Sequence, residues 1–96
     1  MADELVENTA SQRYELLRDG VAIGYVTYRD AGGVVTLPHT YVEPAFRGHE
    51  VASRVVQYAL DDLREQGRRV EPVCPYVAAW IDRHPEYADL LSDAAG

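Results

Sequence analysis

The apolar positions change period once along the chain. Up to about Glu43 they come in short runs rich in β-branched and aromatic residues, separated by turn-forming breaks. "RYELLR" and "VAIGYVTY" flank Asp19-Gly20, a dipeptide suited to a tight two-residue hairpin. A second break, Asp30-Ala31-Gly32-Gly33, precedes "VVTLPHTYV", which reads as a third strand. Pro38 has no N–H to donate to a ladder, so it marks a bulge or an unpaired site there. Three to four antiparallel strands are expected in this half.

Beyond Gly48 the pattern becomes helical. Val51, Val55, Ala59 and Leu63 recur every four residues, with Ala52, Val56 and Leu60 one step around, and this makes a broad apolar stripe. Gly67 is the natural stop. "RRVEPV" follows as a short strand and "YVAAWIDR" as a short helix with Val77, Trp80 and Ile81 on one face. His84-Pro85 breaks that helix, and "EYADLL" adds a last turn. A strand–helix–strand unit after a meander predicts an α/β (α+β) fold: a mixed central sheet with one parallel crossover and a short C-terminal helix.

Composition narrows the class. Ninety-six residues, 47% of them hydrophobic, suit one folded domain spanning 1–96. There is no long apolar run and the acidic start "MADELVENTA" lacks a signal-like core, so a cytoplasmic protein without membrane attachment is expected. The net charge is −7 and all nine basic residues are arginine, which argues against general nucleic-acid binding. The single cysteine, Cys74, rules out an internal disulfide. No His, Cys or carboxylate cluster has metal-ligand spacing, so no metal is expected.

Three features carry candidate chemistry. Arg47-Gly48-His49-Glu50-Val51-Ala52 stands where a strand ends and a helix opens, so free N–H groups, the helix dipole and Arg47 would make an anion site. The alternative is an ordinary connection with a solvated arginine. Cys74 follows a strand end directly, where sites of α/β folds gather, and a thiolate there could attack a thioester. A small buried hydrophobe is the other role open to it. His39, next to Pro38, is placed to serve as a base, while His84 reads as a helix-end residue.

The residues from Leu37 to Leu91, "LPHTYVEPAFRGHEVASRVVQYALDDLREQGRRVEPVCPYVAAWIDRHPEYADLL", resemble the small single-domain GNAT N-acetyltransferases of the YjdJ type. Two blocks carry the likeness: His39-Thr40 with Pro44-Ala45-Phe46-Arg47-Gly48, and Cys74-Pro75-Tyr76-Val77 with His84-Pro85-Glu86-Tyr87. The superfamily loop Q/R-x-x-G-x-G/A is Arg47 to Ala52 here. The resemblance implies a GNAT-like domain using acetyl-CoA, with its pyrophosphate on the loop and its pantetheine between two splayed strands. It implies contacts to CoA from Val42, Arg47, Gly48, His49, Glu50, Val51, Ala52, Ser53, Arg54 and Tyr76, with Cys74 and His39 as the catalytic pair.

The chain departs from the family pattern at Glu50, which replaces the second glycine, and at Tyr41, where relatives carry Glu. Like charges about 4 Å apart repel by about 1 kcal/mol in water and about 4 kcal/mol at an effective dielectric of about 20. A glutamate in the first helical turn gains only about 0.3–1 kcal/mol from the dipole. A Glu50 that faces the phosphates therefore weakens the site. The expected function is transfer of an acetyl group from acetyl-CoA to a small-molecule or protein amine, directly or through acetyl-Cys74, by a monomer or homodimer. The alternative is a non-catalytic binding module with a degenerate CoA site.

Overall fold

Asp19 and Gly20 both take positive φ, 52° and 83°, the backbone of a two-residue turn whose twist matches the strands it joins. The turn closes a meander of β1 (Asp3–Asn8), β2 (Arg13–Arg18) and β3 (Val21–Thr27). Then follow β4 (Arg29–Ala31), β5 (Val34–Thr36), β6 (Thr40–Val42), α1 (Val51–Glu65), β7 (Arg69–Glu71) and α2 (Pro75–Arg83). Short 3-10 segments cover Pro44–Phe46 and Pro85–Leu90. The computed structural model describes residues 2–48 and 50–91.

The α+β class is as expected, but the strands form two sheets instead of one. β1-β2-β3-β6 is wholly antiparallel; β4-β5-β7 carries the parallel crossover, between β5 and β7. The sheets part at "VVTLPHTYV". Leu37 still belongs to the second sheet: its N–H donates to Glu71 O at 3.1 Å and its carbonyl accepts from Cys74 N–H at 3.0 Å. Pro38 cannot donate, and by His39 the chain has joined the first sheet, accepting from Thr27 N–H at 2.9 Å. One predicted strand thus serves as two. The first half holds six strands rather than three or four, with β1 in the acidic "DELVEN" and the short β4 both additional.

α1 lies across the meander. Val51, Val55, Val56, Ala59, Leu60 and Leu63 are buried against a core that includes Tyr14, Leu16, Ile23 and Val26. Each valine and leucine of this stripe contributes about 1.5–3 kcal/mol on burial, and Ala59 less. Gly24 permits the closest approach: a Cβ there would stand 2.6 Å from Val51 Cγ1 and 3.2 Å from Tyr41 O. The helix stops at Gly67, where φ is 71°, and Arg68 N–H reaches back to Leu63 O at 3.0 Å, a Schellman closure.

α2 starts with Pro75 at its first position and Cys74 as the capping residue, and buries Val77, Trp80 and Ile81. Trp80 Nε1–H donates to Ser53 Oγ at 2.8 Å, which ties α2 to the first turn of α1. Among the described residues no helix is long and apolar enough to cross a membrane.

Candidate active site

Between the β6–α1 connection and α2 lies a cleft of about 450 Å³. One wall is Val42, Arg47, Gly48 and Glu50, continued by Val51, Ala52 and Ser53 of the first turn of α1; Tyr76 stands opposite. These are eight of the ten positions expected to contact the cofactor. His49 lies outside the described residues. Arg54 points elsewhere: one step beyond Ser53 on the helix, its Nη1 bonds Asp3 Oδ2 of β1 at 2.8 Å. Phe46 and Trp80, which as aromatic residues suit core or cleft wall, complete the lining together with Arg83 and His84, which were not foreseen there.

The loop presents free donors to this cleft. The first intrahelical bond of α1 runs from Arg54 N–H to Glu50 O at 3.0 Å, so the N–H groups of Val51, Ala52 and Ser53 have no acceptor within the helix. Gly48 takes φ 84° and Glu50 takes φ 62° with ψ 16°, so both sit in the left-handed region that favours glycine. Glu50 is exposed, makes no side-chain cap bond, and forms no ion pair among the described residues. Arg47 Nε donates to Val42 O at 3.1 Å, which holds the guanidinium beside the loop with neither Nη bonded to a described residue.

The opposite wall is built on an aromatic stack. The ring of His84 lies parallel to that of Trp80, 3.8 Å between centroids and 13° between planes. Its Nδ1 is 2.7 Å from Trp80 O, and since a carbonyl only accepts, Nδ1 carries the proton and Nε2 is left bare in the neutral ring. Tyr76 is held above the ordinary tyrosine range, chiefly by burial and also by Glu50; Arg83 and a bond from Ser53 act against this.

Cys74 is 8% exposed and is not among the residues lining the cleft. Its Sγ lies 3.4 Å from Thr40 Oγ1. Burial pushes the thiol up; donation from Thr40, together with the N–H groups of Val77, Tyr76 and Thr40 that face the sulfur, outweighs it, so the thiol is held below its ordinary value. The expected partner, His39, is not part of this arrangement. It is exposed and outside the cleft, and it is Thr40, the next residue along the chain, that the sulfur meets. Successive residues of an extended chain point to opposite sides, so Thr40 can face Cys74 only if His39 turns away. In the sequence Thr40 stands only as part of the His39-Thr40 block; its contact with Cys74 spans 34 positions and gave no signal of its own.

The residues present suit a CoA-type ligand. Two arginines and three helix N–H groups that have no acceptor among the described residues face one cleft, and the two sheets diverge beyond Leu37 to leave an open backbone edge on β6. Among the described residues no three His, Cys, Asp or Glu side chains converge on a metal position.

Comparison with known proteins agrees with this geometry. The GCN5-related N-acetyl-transferase family matches residues 13–90, and the chain belongs to that family. It is similar to the zebrafish (Danio rerio) protein NATD1, 30% identical over 59 residues that make up 59% of this chain and 54% of that protein. The match thus spans about half the length of that curated relative. Its fold is similar to that of a GCN5-like protein of Staphylococcus aureus solved by NMR: TM-score 0.69, 16% identity, covering 93% of this chain and 87% of that one. It is also similar to AAC(6')-Iy, solved with the bisubstrate analogue CoA-S-monomethyl-acetylneamine: TM-score 0.54, 22% identity, covering 84% and 61%.

Proposed function

We propose that the protein transfers the acetyl group of acetyl-CoA to an amine. The observation that supports this most is the convergence of Arg47, Gly48 and the free N–H groups of Val51, Ala52 and Ser53 on one wall of the cleft, beside the point where the sheets part. Arg47 and those N–H groups would hold the pyrophosphate. The open edge of β6 and the apolar surfaces of Val42, Val51 and Tyr76 would take the pantetheine arm. Acetyl-CoA supplies the activated thioester and the chain binds it; the amine nitrogen forms the new C–N bond as the C–S bond breaks, and the proton the amine sheds goes to the departing CoA thiolate.

A second reading of the chemistry rests on the lowered thiol of Cys74. In it the Cys74 thiolate forms the S–C bond to the acetyl group while the CoA thiolate leaves; the amine then takes the acetyl group and returns Cys74 to a thiolate. Thr40 positions and stabilises that sulfur, the role first expected of His39.

Mass spectrometry after mixing with acetyl-CoA tests both readings. A non-covalent CoA adduct under native conditions supports the cofactor assignment, and an acetyl increment on a peptide containing Cys74 supports the covalent route. With a turned-over amine, Cys74→Ala that keeps its rate establishes direct transfer. Failure to bind CoA at all would leave a non-catalytic module on the same fold.

A further inference from the structure

The arginines of this chain are nearly all engaged. Arg13, Arg18, Arg54, Arg64 and Arg68 pair with carboxylates. Arg47 and Arg69 donate to backbone carbonyls. Two of the nine, Arg29 and Arg83, have neither kind of partner among the described residues, although the chain holds sixteen acidic residues; Arg29 is exposed on β4 and is not among the residues lining the cleft. Arg83 does line it. An unpaired guanidinium in a concave site of an acidic protein is placed for an anion that arrives from outside.

Its neighbour supplies a flat surface. One face of His84 is covered by Trp80, and the ring lines the cleft as well, so its second face is the one open to a ligand. Trp80 is 1% exposed and cannot serve in that way. The indole thus backs an imidazole plate, with a guanidinium beside it.

Position along α2 indicates what this pair would meet. The helix has nine residues, about 13 Å at about 1.5 Å per residue. Cys74 caps its start; Arg83 and His84 stand at its end. With the pyrophosphate on the α1 loop and the pantetheine arm along β6, the far end of α2, where Arg83 and His84 line the same cleft, is left for the remaining part of the cofactor, a purine base and a ribose phosphate. We propose that Arg83 and His84 form a second recognition group that reads the nucleotide end of CoA, with Arg83 on the 3′-phosphate and the open face of His84 against the adenine. This rests on the cofactor assignment above and extends it to residues outside the loop.

The test is calorimetry with CoA, dephospho-CoA and pantetheine on the wild-type chain, Arg83→Gln, Arg83→Lys and His84→Ala. A single charge-assisted bond at an open site corresponds to about tenfold in affinity. Arg83→Gln is therefore expected to weaken CoA about tenfold while changing dephospho-CoA less than about twofold, with Arg83→Lys between. His84→Ala should weaken both nucleotide ligands and leave pantetheine unchanged. Equal losses of CoA and dephospho-CoA in Arg83→Gln, or an effect of His84→Ala on pantetheine, overturn this assignment while the CoA site stands. A wild-type chain that binds none of the three overturns both.

Discussion

Glu50 holds a backbone conformation made for glycine and a carboxylate where phosphates are expected. At φ 62° a non-glycine residue carries about 1–2 kcal/mol of strain, though glycine would lose about 0.5–1 kcal/mol more entropy on folding. The strain is the larger, so Glu50→Gly should leave stability unchanged or raise it by up to about 1.5 kcal/mol. Binding should change as well: a several-fold gain in CoA affinity at low salt that fades as salt is added, because the repulsion removed is exposed to screening. Glu50→Gln separates charge from shape. It should reproduce the salt-dependent gain, and a gain confined to Glu50→Gly would point to crowding instead. The carboxylate was visible in the sequence; its left-handed backbone was not, since nothing in "RGHEVA" distinguishes the first helical residue from the turn before it.

Cys74 permits a second test at this scale. The thiol is held low by donors that include Thr40. The pH profile of its alkylation should therefore move upward in Thr40→Val and stay in place in His39→Ala. An upward shift in the histidine variant would restore the pairing first expected from the sequence. A thiol unreactive until the chain unfolds would remove the covalent route.

At the level of elements, period explains what could be read. α1 declares itself because a stripe recurring over four turns has few alternative explanations, and the Asp19-Gly20 hairpin because its turn chemistry is local. β1 does not, because an edge strand such as "DELVEN" is half solvated and carries charges that also suit a loose terminus. The division of "VVTLPHTYV" was signalled by Pro38, but the identity of the two sheets depends on pairings with Thr27 and Glu71, which are remote in sequence. The cleft divides the same way. Its loop wall is contiguous and was legible; Arg83 and His84 enter it only because Trp80 docks on Ser53 and sets the rotation of α2.

Gly24 connects these elements to the site. A Cβ there would meet Val51 Cγ1 and Tyr41 O, both within contact limits that demand movement. Gly24→Ala should therefore cost about 1–3 kcal/mol in denaturant unfolding, as overpacked positions do. It should weaken CoA at the same time, because the displaced Val51 lines the cleft. A loss of stability with unchanged affinity would mean that α1 absorbs the insertion on its far side.

Across the whole molecule, three phenols tie remote elements together: Tyr14 joins β2 to α1, Tyr28 the end of β3 to β1, and Tyr87 the last 3-10 segment to α1. Tyr14 donates to Asp62 at 2.7 Å, Tyr28 to Glu7 at 2.6 Å and Tyr87 to Asp61 at 2.7 Å. Burial first, and the carboxylate partner second, pushes each above the ordinary tyrosine range, Tyr28 to about 12. The fold favours the neutral phenol. Its contribution is whole below the unfolded value near about 10 and is lost as the pH climbs through the folded one. The denaturation midpoint should accordingly fall between about pH 10 and about pH 12, and fall less steeply in Tyr28→Phe. A profile flat over that interval would show that these bonds survive only as geometry.

The parting of the sheets at Pro38 also sets a clock. In β6, Tyr41 sits opposite Tyr25, between the bonded pairs Thr27–His39 and Ile23–Glu43, so its amide faces β3. The amide of Val42 points the other way, across the gap toward α2. Deuterium should therefore replace the Val42 proton long before the Tyr41 proton, although the two residues are neighbours in one strand. If a ligand lies along that edge as an added strand, the difference in their lifetimes should close when it binds. Two adjacent amides would then report, without any assay of turnover, whether the open side of the sheet has been filled.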